Sequence, residues 1–107
     1  MGLFYMTEQE LVQDKENFKN GKVEPGRKIR CIDDHFSSDK ELPFEPEEIN
    51  LPEKDELYTV REVIDTGHGI GLRLEEIENE RYWFGNVRRY EEPVFGIHRF
   101  EPHYEIH

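Results

Sequence analysis

The chain has 107 residues, which is enough for one domain with a single modest hydrophobic core. Its 25 acidic residues outnumber its 14 basic ones, so the net charge is -11. Because nucleic acids and anionic lipid surfaces attract basic proteins, this charge argues against binding to nucleic acid or to a membrane. Aromatic residues make up 12% of the chain, an apolar content that argues against a disordered protein.

Cysteine content and the first residues of the chain both indicate a cytoplasmic protein. Cys31 is the one cysteine, so no disulfide can form within the chain and no oxidising compartment is required. The apolar run from Met1 to Met6 is too short for a transmembrane helix and lacks the basic start of a signal peptide.

The N-terminal region carries a helix signal with a clear start and stop. Thr7 and Glu10 have the spacing of a capping box, in which each side chain binds the other's backbone amide. Asn20-Gly21 provides the stop, since glycine adopts the left-handed cap at little cost. The pattern predicts a helix from about Glu8 to Lys19 within a helical extension of residues 1–22. Its thin apolar face is expected to dock loosely or on a partner, and consists of Leu11, Val12 and Phe18.

Residues 23–107 show the patterns of a small β domain. Alternation from Lys28 to Asp33 predicts a strand with Ile29 and Cys31 on one face. Residues 36–56 combine three prolines with many acids, which predicts a long loop rather than a central strand.

The clearest β signal is a pair of segments, 57–65 and 70–77, joined by the glycine turn Thr66-Gly67-His68-Gly69. The second segment also fits a helical stripe, but the turn and the β-branched residues before it favour a strand with a bulge near Glu76. In the first segment, simple alternation predicts that one face is shared by Tyr58, Val60 and Glu62.

These segments resemble a group of small, uncharacterised bacterial and phage-associated proteins. The resemblance is carried by Tyr58-Thr59-Val60-Arg61, by Gly71-Leu72-Arg73-Leu74-Glu75-Glu76-Ile77, by Phe95 and by Arg99-Phe100-Glu101-Pro102, and it covers about residues 28–104. It implies a mainly β fold: a small SH3-like antiparallel barrel of about five strands, preceded by the helix. It implies no activity, because a fold does not specify a function.

An aromatic triplet flanked by arginines is the strongest candidate binding site. The triplet reads as a short strand or an aromatic loop, and Gly85-Asn86 forms a turn after it. A thin barrel buries only one side of such a strand, so at least one large aromatic is expected beside arginines, as in protein-binding hot spots. The alternative is that the triplet plugs the barrel. The candidate binding residues are Tyr82, Trp83, Phe84, Arg88 and Arg89.

Other candidate sites have plainer explanations. The glycines at 67–71 suit a hairpin turn better than a phosphate-binding loop, which needs a following helix. His98, His103 and His107 fit no known zinc-site spacing and read as surface histidines, with a metal-dependent activity as the alternative. No metal or cofactor is predicted. Cys31 lies on an apolar face and reads as a buried inert thiol.

The sequence therefore predicts a non-enzymatic protein-interaction module that binds a protein partner. A homodimer formed through an open sheet edge or the helix is consistent with this interpretation. The alternative is an acidic, DNA-mimicking inhibitor of a DNA-binding enzyme, because the acidic excess imitates the charge of DNA.

Overall fold

A single helix begins the described part of the chain, which is residues 6–104 of a computed structural model. Helix α1 spans Glu8–Lys19 and confirms the predicted bounds. The Thr7 hydroxyl accepts a hydrogen bond from the Glu10 amide at 3.1 Å, and the Glu10 carboxylate accepts from the Thr7 amide. Gly21 follows with φ of +81°, a conformation that glycine adopts without strain. Phe18 is the one buried residue of the helix, and it anchors α1 to the core.

Seven strands follow the helix within residues 6–104, five in one antiparallel sheet and two in a separate hairpin. The sheet has the order β6-β3-β2-β1-β7, so β1 and β7, the first and last strands in the sequence, are neighbours. The edge strands β6 and β7 do not pair with each other within residues 6–104, and the sheet is open there. The mainly β fold with an N-terminal helix is confirmed. The strands are β1 (Lys28–Cys31), β2 (Leu57–Asp65), β3 (Ile70–Leu74), β4 (Tyr82–Phe84), β5 (Arg89–Glu91), β6 (Phe95–Gly96) and β7 (Phe100–Pro102).

A bulge in β2 changes which residues face the core. Val60 is opposite Leu74, whereas Glu62 is opposite Arg73, so Arg61 is the extra residue. The expected bulge near Glu76 is wrong, because β3 ends at Leu74. The expected placement of Glu62 beside Tyr58 and Val60 is also wrong. An extra residue inverts the alternation, so Val63 packs on the core and Glu62 is exposed.

The hydrophobic core lies between the sheet, the end of α1 and the turn before β7. A 3-10 turn at Ile97–Arg99 places Ile97 in this core just before β7 begins. Val60, Leu72 and Leu74 are fully buried on the two central strands. The core also contains Phe18, Ile29, Cys31, Tyr58, Ile77, Phe95 and Phe100. The expected core positions in β1 and in residues 93–100 are thus confirmed.

The β2–β3 connection is a tight turn, as the glycines predict. Gly67 and Gly69 have φ of +83° and +149°, and the Thr66 amide donates to the Gly69 carbonyl at 2.9 Å. A strand follows this turn, so the helix that a phosphate-binding loop requires is missing at residues 70–74.

A long loop connects β1 to β2 and lies against the sheet. Its one regular element is a short 3-10 turn at Pro46–Glu48. Phe36, Ile49 and Leu51 attach this loop to the core. No helix within residues 6–104 is long and apolar enough to cross a bilayer.

Candidate functional site

Strands β4 and β5 form a short hairpin that carries the candidate binding residues. Tyr82 is opposite Glu91, Trp83 is opposite Tyr90, and Phe84 is opposite Arg89. The Arg88 amide donates to the Phe84 carbonyl at 2.8 Å, which closes the turn. Arg88 has φ of +54°, in the left-handed region that few residues other than glycine adopt. The structure thus brings all five predicted residues together on one element.

One face of the hairpin packs against the long loop. The Phe44 ring lies 5.0 Å from the Tyr82 ring and 6.1 Å from the Phe84 ring, measured between centroids. The two contacts are tilted and edge-to-face, the arrangements that aromatic pairs prefer. Tyr82 and Phe84 are therefore half-buried, and Phe44 holds the loop and hairpin together.

The opposite face presents two aromatic rings to solvent. Trp83 and Tyr90 are cross-strand partners with centroids 5.2 Å apart. Trp83 is 47% exposed and Tyr90 is 65% exposed. We call these two residues the aromatic pair. Tyr90 was not among the sequence candidates, although the spacing of two three-residue strands about a four-residue turn would have placed it opposite Trp83.

Two arginines of the sheet hold the base of the hairpin. Arg61 binds both carboxylate oxygens of Glu92, with N–O distances of 2.9 and 2.6 Å. Arg73 donates twice to the Glu92 backbone carbonyl, at 3.1 and 2.8 Å. Burial alone would raise the pKa of Glu92, but hydrogen bonds from Arg61 and from the Asn79 amide outweigh it and lower the pKa. The hairpin is therefore fixed to the sheet by charged contacts at its base and to the long loop by Phe44.

Charges of both signs lie around the aromatic pair, since Tyr90 lines a pocket together with Arg61, Arg73, Arg81, Glu62, Glu91 and Glu92. Arg89 lies opposite Phe84, on the other face of the hairpin, where its guanidinium is 3.3 Å from the Glu91 carboxylate and its side chain is 65% exposed. Arg81 and Arg88 are exposed and enter none of the ion pairs formed within residues 6–104. Exposed aromatic rings beside unpaired guanidinium groups have the composition of a protein-binding surface.

A cleft of about 990 Å³ lies on the other side of the hairpin, between the hairpin, the long loop and β6. Phe84 and Arg89 line it, whereas the aromatic pair does not. Exposed Leu42 and Val87 border it on the loop side and the hairpin side. Its apolar lining includes Phe36, Ile49, Leu51, Phe84, Val94 and Phe95.

The remaining sequence candidates lie apart from the hairpin. Cys31 is buried, and burial raises the pKa of its thiol. His98 is exposed, and the His103 amide donates to the Lys28 carbonyl at 3.0 Å. His107 lies outside the described residues. Residues 6–104 contain no group of three or more histidine, cysteine or acidic side chains arranged to hold a metal ion.

Comparison of the chain with protein-family models, with curated proteins and with solved structures gave no match.

Proposed function

We propose that this chain is a non-enzymatic protein-interaction module that binds a protein partner through the aromatic pair. The proposal rests on the observation that Trp83 and Tyr90 are both exposed, side by side, on a hairpin that is fixed at its base. Large aromatic rings and arginines dominate the binding energy of protein interfaces. A rigid support lowers the entropy cost of association, because the rings are already in place.

The non-enzymatic part of the proposal is supported by the state of the one thiol. A nucleophilic cysteine needs solvent access and a lowered pKa, whereas Cys31 is fully buried and burial raises its pKa. Ser37 and Ser38 lie exposed on the long loop, and the Ser38 hydroxyl donates to the Glu45 carboxylate. That bond does not provide the imidazole base that a nucleophilic serine requires.

An SH3-like barrel is the finer fold that we propose for the sheet. The strand order supports it, because β1 lies between β2 and β7, so that the first and last strands of the sequence are neighbours. The long loop between β1 and β2 and the 3-10 turn before β7 are consistent with the same architecture. In this proposal side-chain packing, rather than hydrogen bonding between β6 and β7, closes the barrel.

Affinity capture with matched variants tests the binding surface. Wild-type, Trp83→Ala and Tyr90→Ala chains are immobilised and incubated with lysate of the source cell, and captured proteins are compared. Leu57→Ala is the control, since Leu57 is 45% exposed, close to the value for Trp83, and lies away from the hairpin. Loss of a hot-spot ring is expected to weaken binding by about 2 kcal/mol, roughly 30-fold. If a folded Trp83→Ala chain retains every partner of the wild type, the proposed surface is wrong.

A second candidate, an acidic DNA-mimicking inhibitor, is favoured by one observation. Five exposed acids lie within residues 39–48 of the long loop, and four of them fall within residues 41–48. This candidate predicts a captured DNA-binding enzyme that duplex DNA displaces, and binding that Trp83→Ala leaves intact. Charge-neutral variants of the loop would then abolish capture. The five acids are Asp39, Glu41, Glu45, Glu47 and Glu48.

A further inference from the structure

The cleft contains a guanidinium group held in a fixed position on an aromatic ring. The Arg99 guanidinium carbon lies 3.9 Å from the centroid of the Phe36 ring. Phe36 in turn packs edge-to-face on Phe95 at 5.9 Å. The Arg99 side chain is 18% exposed, and all three residues line the cleft. Arginine stacked on an aromatic ring is pre-organised, so it loses little freedom when it binds a further group.

Part of this guanidinium is free to bind a ligand. Arg99 Nη1 donates to the His35 carbonyl at 2.8 Å and lies 3.5 Å from the Asp33 carboxylate. Arg99 Nε and Nη2 have no acceptor within residues 6–104. No buried side-chain nitrogen in that part of the chain lacks a hydrogen bond, so these two groups reach solvent. Two adjacent N–H groups of arginine match the two oxygens of a carboxylate.

Most acidic groups lining the cleft are already engaged. Glu92 is bound by Arg61 and Glu91 pairs with Arg89. Asp65 and Asp39 accept backbone amides of their own turns. Glu41 is the exception within residues 6–104, and its exposed side chain lies on the same loop as exposed Lys40. These hydrogen bonds leave Asp65 and Asp39 charged, so the cleft is lined by both signs of charge. Arg99 is its most buried cation, since Lys40 and Arg89 are exposed.

An open strand edge borders the same cleft. Strand β6 pairs only with β3 within the described part of the chain, and Pro93–Gly96 line the cleft. An extended peptide can add to such an edge by backbone hydrogen bonding, while its side chains enter neighbouring pockets. The volume of about 990 Å³ lies at the upper end of the range for small-ligand pockets, so a chain segment fits it better.

We infer that the cleft binds an extended segment of a partner protein in which an acidic side chain stands next to a large apolar one. The carboxylate pairs with Nε and Nη2 of Arg99. The apolar side chain packs among Phe84, Val87 and Phe95, and the backbone runs along β6. This surface is on the opposite side of the hairpin from the aromatic pair and does not depend on it.

A random peptide library displayed on phage tests this inference with the full chain as bait. Enriched peptides are expected to share an aspartate or glutamate within two positions of a phenylalanine, tryptophan or leucine. The strongest peptide is then labelled, and its affinity is measured by fluorescence anisotropy. Arg99→Gln and Val87→Asp should each weaken binding by about tenfold or more. Arg99→Gln removes the guanidinium charge, and Val87→Asp places a carboxylate at the rim that repels the acidic side chain of the peptide.

Two features keep the outcome decisive if Arg99→Gln disturbs the loop. Val87 is 42% exposed on the hairpin turn, so Val87→Asp tests the cleft without removing a buried side chain. Val12→Asp is the control, because it makes the same change at an exposed position of the helix. No enrichment, a basic consensus, or equal binding by wild type and Val87→Asp would each overturn the inference. Binding of 1-anilinonaphthalene-8-sulfonate without peptide enrichment would assign the cleft to small aromatic anions and overturn it as well. The peptide library is independent of the partner captured through Trp83. The cleft inference and the proposed function can therefore fail separately.

Discussion

Arg61 and Glu92 form a two-bond ion pair that joins the bulge of β2 to the end of the β4–β5 hairpin. The N–O distances are 2.9 and 2.6 Å, and the Glu92 side chain is 14% exposed. Arg61 also donates to the Leu74 and Ile77 carbonyls. A bulge commonly redirects a side chain, and this one directs Arg61 to the base of the hairpin. The position of the proposed binding surface thus depends on one extra residue in a central strand.

Glu92→Gln should destabilise the chain, because the neutral amide replaces a charge-assisted bond at a mostly buried position. We expect the free energy of unfolding in urea to fall by about 2 kcal/mol, as for other hydrogen bonds to charged groups. Glu80→Gln is the control, since Glu80 is exposed and enters none of the ion pairs within residues 6–104. It should change stability by no more than about 0.5 kcal/mol. Equal effects from the two variants would show that the Arg61 contact does not anchor the hairpin.

Phe44→Ala should release the long loop from the hairpin while leaving the sheet intact. Phe44 touches Tyr82 and Phe84, and each aromatic pair contributes about 0.5–1.5 kcal/mol beyond the area it buries. Amide hydrogen exchange should become faster across residues 39–48 and in the hairpin, with little change in β1 and β2. Leu42→Ala alters the same loop at a residue that is 39% exposed, and exchange should then stay close to wild type. Uniformly faster exchange in the Phe44 variant would instead indicate global destabilisation.

The helix, the long loop and most strands could be predicted from the sequence because their signals are local. Thr7 and Glu10 identify the start of α1, and the glycines at 67 and 69 identify the turn of a hairpin. The bulge at Arg61 was missed because strict alternation was extended from Tyr58 and Val60 to Glu62, although the sequence is charged at Glu62 and apolar at Val63. The position of the bulge is set by the pairing of β2 with β3, because apolar residues of both strands must face the same core. That pairing is a tertiary constraint.

The candidate site shows the same division between local and tertiary information. An exposed aromatic beside arginines was predicted from the triplet 82–84, and Trp83 has that position. Two contacts near the candidate site join segments that are distant in sequence, and neither was predicted. The long loop supplies Phe44 to the face formed by Tyr82 and Phe84. The cleft joins Arg99 to Phe36, which are separated by most of the β domain.

Gly71→Ala tests the close packing between β3 and the segment before β6. A methyl group at Gly71 would lie 2.7 Å from Val94 Cγ2 and 2.9 Å from Val94 Cβ, so one of the two chains must shift. We expect a loss of about 1–3 kcal/mol in the free energy of unfolding, typical of overpacking. Gly85→Ala is the control, because a methyl group there meets no atom within 4 Å.

A double-mutant cycle identifies the clash as the cause of that loss. Val94→Ala removes the nearer of the two contacting carbons, so the double variant should be more stable than the sum of the single effects predicts. The expected coupling is about 0.5 kcal/mol or more, in the range measured for contacting residues. Strict additivity would mean that the methyl group is opposed by Val94 Cβ, which Val94→Ala keeps, rather than by Cγ2.

A contact between three residues joins the helix to the segment before β1 and to the segment after β7. Arg27 Nη2 donates to the Asp14 carboxylate at 2.8 Å, and the Tyr104 hydroxyl donates to the same carboxylate at 2.5 Å. The Arg27 guanidinium carbon lies 5.4 Å from the Tyr104 ring centroid. Hydrogen bonding by Arg27 lowers the pKa of Asp14. Burial, reinforced by the bond to Asp14, raises the pKa of Tyr104 to about 12.

This contact should make the chain less stable in alkaline solution, and Tyr104→Phe should reduce that dependence. The raised pKa values of Cys31 and Tyr58 leave the remainder. The unfolded chain releases the tyrosine proton near pH 10.0, whereas the folded chain holds it until about pH 12. The stabilisation is therefore complete below pH 10.0 and is lost as the pH rises through about 12, because the unfolded state binds fewer protons in that interval. Urea unfolding at a series of pH values should show a steeper decline for wild type than for Tyr104→Phe. Tyr90→Phe, at a residue that is 65% exposed, should follow the wild-type curve. Parallel curves for wild type and Tyr104→Phe would mean that the hydroxyl bond to Asp14 does not hold α1 against the sheet.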